Sequence, residues 1–251
     1  PISPPPPPPP HFAHTPGAHR WYVALNEAPC GGDACRTLTV PVMDFGDMRR
    51  RVAVALGVGE LEGDLLHALH NEGRWERSKL KAAWGALDEF EVEHLQRMQL
   101  QPGVAEVCRW LDVKGVRRGI VTRNVAKSVA HLHQEHITPQ GLEPFSPALG
   151  REFRPYKPEP DALLHICREW GLVPGADIVM VGDSAKDDVV AGNRAGCSTI
   201  LLDPLGREAG LSGGGGLAGE LRPEFVVRDM SECLEVLQAH FQPQPAGGRA
   251  G

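Results

Sequence analysis

Ile178-Val179-Met180-Val181-Gly182-Asp183-Ser184-Ala185-Lys186-Asp187-Asp188 is the stretch on which the reading of this 251-residue chain turns. Four apolar residues make a short buried strand, and Gly182 permits an unusual backbone angle where that strand ends. Asp183 then stands at the carboxyl end of the strand. Asp187 follows four residues later, in the first turn of a helix expected to run from Asp187 to Ala195. Two acids so spaced converge on one point, and oxygens around a point suit Mg²⁺, which takes few protein carboxylates and keeps waters. Helix capping by Asp183 or Ser184 is the simpler use of these residue types, but capping does not call for acids both at the strand end and in the first turn.

Working outward, the same strand-then-helix rhythm continues on both sides. Ser198 to Leu202 and Arg118 to Thr122 read as strands, with a last edge strand at Phe225-Val226-Val227. Helices are expected over Val104–Leu111, Val125–His136, Asp161–Trp170 and Met230–Ala239. Trp21 to Leu25 is a candidate first strand. Alternation of this kind predicts a parallel α/β sheet with right-handed crossovers, whose ligands bind at the carboxyl ends of its strands.

Two further stretches end at that edge. Gly119-Ile120-Val121-Thr122-Arg123-Asn124 closes a strand on a hydroxyl. Thr122 and the backbone N–H groups of Arg123 and Asn124 can meet phosphate oxygens at the helix start. Arg154-Pro155-Tyr156-Lys157-Pro158 sets Lys157 in a proline-stiffened loop, which holds an ammonium as a point charge against a phosphate. Either alone is weak, since Ser/Thr caps and surface lysines are common.

Taken in order, the hydroxyl after a strand, the Lys-Pro and the GDxxxD resemble the motifs of the haloacid dehalogenase-like (HAD) hydrolases. The likeness runs from about Thr37 to Leu202, and the 145–167 stretch is close to plant and algal members related to phosphoglycolate phosphatases. The resemblance implies a Rossmann-like parallel core with a small helical cap and a Mg²⁺-dependent phosphatase that works through an aspartyl-phosphate on a small phosphorylated metabolite. It also implies that Thr122, with Arg123 and Asn124, binds the phosphoryl group, that Lys157 stabilises nucleophile and phosphate, and that Asp33, Asp183 and Asp187 hold the metal. On this pattern residues 21–42 and 102–240 form the core and 43–101 the cap, with 1–20 and 241–251 as tails.

The first motif departs from the family. Thr37-Leu38 matches the end of Asp-x-Asp-Gly-Thr-Leu, which puts Asp33 at the nucleophile but Cys35 at the acid/base aspartate and Arg36 at the glycine. Pro29-Cys30-Gly31-Gly32 is a poor buried strand, so the match at Asp33 stands against a reading in which the likeness begins only at Thr37. A catalytically inactive phosphate- or Mg²⁺-binding module, or a mis-assembled gene, is therefore the alternative to an active hydrolase.

The bulk numbers bound the rest. A formal net charge of -6 argues against a nucleic-acid binder, which needs a basic face. No apolar run approaches the roughly 18 residues of a membrane span. Six cysteines without CxxC pairing suggest a reducing compartment, cytoplasm or organelle, rather than a disulfide framework. Pro4 to Pro10 favours an extended polyproline helix and cannot build a core. His67, His70 and Arg74 read as solvated helix residues, and His131, His133 and His136 lack an acid or cysteine at matching spacing for a metal site.

Overall fold

The computed structural model describes residues 22–27, 37–40, 44–63, 65–208 and 217–241. Asp33, Cys35 and Arg36, the proline run, the glycine run 213–216 and the C-terminal tail after Phe241 lie outside them.

Among the described residues six parallel strands form one sheet in the order β3-β2-β1-β4-β5-β6. They are β1 (Tyr22–Glu27), β2 (Arg117–Thr122), β3 (Ala148–Leu149), β4 (Ile178–Gly182), β5 (Ser198–Leu202) and β6 (Phe225–Val227). Strands β4 and β5 are buried along their whole length, as strands covered on both faces must be. β6 is the expected edge strand. The pair Ala148–Leu149 has no pattern long enough to announce a strand, and extends the sheet on its other side.

The covering helices are α4 (Val104–Lys114), α5 (Ala126–His131), α6 (Asp161–Trp170), α7 (Val190–Ala195) and α8 (Met230–His240). On one face Val107, Cys108 and Leu111 of α4 and Cys233 and Leu237 of α8 pack on Ile120, Val179, Val181 and Ile200. On the other, Leu163, Ile166, Cys167 and Trp170 of α6 and Ala191 of α7 pack on Val121, Met180 and Ile178. Gly192 lets α7 approach closely, since a Cβ there would lie 2.4 Å from Thr199 Cγ2.

Three helices, α1 (Phe45–Leu56), α2 (Leu65–His70) and α3 (Arg77–Leu95), lie between β1 and α4 in the chain. They bury a core of their own, with Val52, Leu56, Leu69, Leu87 and Phe90 each at or below 1% exposure. The chain enters and leaves this unit side by side: Val40 N–H donates to the Gln99 carbonyl and Gln101 N–H to the Leu38 carbonyl, each at 2.8 Å. That antiparallel neck, around the Thr39–Leu100 bridge, makes the helical unit an insertion on the sheet.

Candidate active site

The register of the central strands brings three strand ends together. Glu27 pairs with Thr122 at the ends of β1 and β2, and Leu25 pairs with Val181 two residues before Asp183. Thr122, Asp183 and the loop carrying Lys157 therefore meet at one edge of the sheet.

Asp183 is buried, and Thr37 Oγ1 donates to its Oδ1 at 3.1 Å across 146 residues of sequence. This bond ties the chain arriving from the 28–36 segment to the end of β4. Burial, with Asp188 nearby, pushes the Asp183 carboxyl up to about 7 against the opposite pulls of Lys157 and Thr37. A pair of buried carboxylates answered by one ammonium is a site at which a cation would relieve both burial and repulsion.

Lys157 is buried, and its Nζ donates to Asp188 Oδ1 at 2.7 Å, with both side chains at most 2% exposed. The other Asp188 oxygen accepts from Ser184 N–H at 3.0 Å. Asp187, to which the spacing assigned the second metal position, is less buried and pairs with Arg123 at 3.4 Å. The backbone explains the difference. Residues Ala185–Val189 form a π-helical turn, in which Val189 N–H reaches the Ser184 carbonyl five residues back. One extra residue in the turn rotates Asp188 inward. Gly182 makes room for it, since a Cβ there would lie 2.3 Å from Asp188 Cγ. Asp188 stood beside Asp187 in the sequence, and four-residue counting gave it no role.

Thr122 and Asn124 are buried at the end of β2. Asn124 N–H donates to Thr122 Oγ1 at 2.9 Å, so this bond occupies one of the N–H groups that the sequence offered to a phosphate. Arg123 Nη2 donates to the Lys157 carbonyl at 3.1 Å, which links the hydroxyl loop to the lysine loop. Tyr156, one residue before Lys157, packs against the hydrophobic cluster of the helical insertion, so the insertion adjoins the site.

Among the described residues no cluster of three or more His, Cys, Asp or Glu could by itself hold a metal ion. Asp183 supplies one carboxylate, with Asp188 engaged by Lys157, and Mg²⁺ is bound through one or two protein carboxylates with waters and substrate oxygens completing its shell. His131 and His136 touch edge to face, while His133 accepts from Phe145 N–H at 3.3 Å. Cys108, Cys167, Cys197 and Cys233 are buried free thiols. No helix among the described residues is long and apolar enough to cross a membrane.

The comparisons with known proteins point one way. The chain is 40% identical over 216 residues to a haloacid dehalogenase-like hydrolase domain-containing protein of Arabidopsis thaliana, covering 83% of each chain. It is 31% identical over 144 residues to a phosphoglycolate phosphatase of Haemophilus influenzae, covering 55% of this chain and 58% of that one. The fold matches a HAD phosphatase from Thermococcus onnurineus with a TM-score of 0.56 at 18% identity, over 86% of this chain and 97% of that one. The family model of haloacid dehalogenase-like hydrolases matches residues 15–196. With its parallel sheet, helical insertion and clustered Thr122, Lys157 and Asp183, the chain belongs to the haloacid dehalogenase-like hydrolases.

Proposed function

We propose that this hydrolase removes the phosphoryl group from a small phosphorylated metabolite, such as phosphoglycolate or a sugar phosphate, with Mg²⁺ as cofactor. The observation that carries the reading is the buried Lys157–Asp188 pair beside Asp183 and Thr122 at the carboxyl ends of three parallel strands. The named activities of the phosphatase relatives support it.

Asp183 and Asp33 would hold Mg²⁺, with Asp188 keeping Lys157 in place; Asp187, the residue that the spacing points to, is the alternative acid. Bound there, the ion would neutralise charge on the phosphoryl oxygens. Thr122 holds the phosphoryl group through its hydroxyl, and the Lys157 ammonium offsets the charge that spreads over it in transfer. Asp33 attacks phosphorus as the alcohol departs, giving an aspartyl-phosphate, and water then attacks that phosphorus to release phosphate and restore Asp33. Cys35 stands where the family protonates the leaving oxygen and activates water. A thiol is a poor substitute in both roles, and turnover should be lower by about 10²- to 10⁴-fold.

Cys35 and Arg36 also favour a second reading, a site that binds phosphate and Mg²⁺ without turnover. Hydrolysis of a generic phosphomonoester with and without Mg²⁺, compared with Asp33→Ala, decides between them. Turnover that needs both Mg²⁺ and Asp33 supports the first reading. Absence of turnover, with phosphate still bound, supports the second.

A further inference from the structure

We infer that Arg151 is a positioning residue that couples docking of the helical insertion to the geometry of the phosphate-binding loop, through a buried latch to Glu91. The inference rests on the proposed phosphoryl site.

Arg151 follows β3 and is buried, and its contacts face two ways. Towards the sheet, its backbone N–H donates to the Asn124 carbonyl at 2.9 Å and its Nε to the Arg123 carbonyl at 3.1 Å. These are the two peptide groups directly after Thr122. Its own carbonyl accepts from the Tyr156 hydroxyl at 3.0 Å, one residue from Lys157. Gly150 keeps this approach close, since a Cβ there would meet the Asn124 carbonyl oxygen at 3.1 Å. Towards the insertion, Arg151 Nη2 pairs with Glu91 Oε1 of α3, its guanidinium lies 5.7 Å from the Trp84 ring centroid, and Asp88 is 3.8 Å away. One residue, through its backbone and its side chain, thus holds both loops of the site and the helix above them.

The pair is built to open. Glu91 Oε2 is buried and has no hydrogen-bond partner among the described residues. Burial outweighs Arg151 and raises the Glu91 carboxyl above its ordinary range. A buried ion pair with an unanswered oxygen adds little stability, because separating it returns both ions to water. The latch holds the guanidinium against the Arg123 carbonyl, next to Thr122. Without Glu91, Arg151 loses its outer anchor and the loop loosens.

The test measures inorganic phosphate binding by the full chain in the presence of Mg²⁺, by calorimetry, for the wild type, Arg151→Lys, Glu91→Gln and the double variant, with urea unfolding to follow stability. Arg151→Lys keeps the charge but loses the Nε donor to Arg123. Glu91→Gln keeps shape and loses the ionic latch, with no contact to the phosphate loop of its own. The expected result is phosphate affinity weakened about tenfold by Arg151→Lys and about threefold by Glu91→Gln, with the double variant no weaker than Arg151→Lys alone. Unchanged affinity in Glu91→Gln, or effects that multiply in the double variant, would overturn the coupling. Failure of the wild type to bind phosphate would overturn the phosphoryl site and this inference with it. If Arg151→Lys does not fold, Glu91→Gln alone still decides, since only a coupled latch moves phosphate affinity from that distance.

Discussion

Replacing Lys157 with methionine removes the ammonium paired with Asp188. The two side chains are 2% and 1% exposed and meet at 2.7 Å. Methionine fills nearly the same volume, so little of the cost comes from a cavity. What is lost is the partner of a buried carboxylate, for which the usual penalty is about 3–5 kcal/mol. Asp188 keeps the Ser184 N–H at 3.0 Å, which sets the expectation at the lower end, about 3 kcal/mol. Against a total stability of roughly 5–15 kcal/mol this is a large fraction, and urea unfolding followed by tryptophan fluorescence resolves it. Adding Asp188→Asn removes the stranded charge, so the double variant should regain about 2 kcal/mol over Lys157→Met alone, because neutralising both partners is far milder than stranding one. A cost below about 1 kcal/mol for Lys157→Met, or an Asp188→Asn change equally harmful with and without Lys157, would refute the pairing and the inward turn of Asp188.

Other outcomes follow from the same geometry. Gly182→Ala places a methyl group 2.3 Å from Asp188 Cγ, and should lower both stability and any phosphate binding, whereas Gly85→Ala, with open space around its Cβ, should leave binding unchanged; calorimetry and urea unfolding read the contrast. Gly192→Ala meets Thr199 Cγ2 at 2.4 Å and should cost about 1–3 kcal/mol of overpacking in urea unfolding. Burial, and secondarily Arg118, lowers the His133 pKa, and its Nε2 accepts from Phe145 N–H. A depressed folded value means that the His133 contribution is present above the unfolded value of about 6.5 and is lost as pH falls through the folded value. His133→Gln should flatten that part of the stability–pH curve, and an unchanged slope would contradict the assignment.

Most of the sheet was legible because its strands are continuous apolar runs closed by glycine, a hydroxyl or an acid. β5 and α6 have the ends that the sequence predicts, and β4 begins at Ile178 as expected and runs one residue further, to Gly182. Helical spacing over Lys79–Met98 likewise predicts a helix, and the observed α3, from Arg77 to Leu95, starts and ends within a turn of that stretch. The site was legible in its residue types and less so in its geometry. Counting four residues from Asp183 assumes regular helical turns, and a π turn is invisible to such counting, so the spacing points to Asp187 and passes over Asp188, which faces Lys157. Glu91 left a trace that went unread: it lies on the stripe of Ala83, Leu87 and Phe90, where an acid has no business without a partner. Arg151 left none, because a loop arginine that reaches two peptide carbonyls and a distant helix has no local signature.

The most direct test of the account is the initial rate of Mg²⁺-dependent hydrolysis of 4-nitrophenyl phosphate by the chain as written and by Asp183→Asn, which keeps an acceptor for Thr37 Oγ1 but gives up the carboxylate. The expected result is Mg²⁺-dependent release, slow because of Cys35, that falls by at least about 10²-fold in the folded variant. No Mg²⁺-dependent release from the parent chain, or release that survives Asp183→Asn, would contradict it.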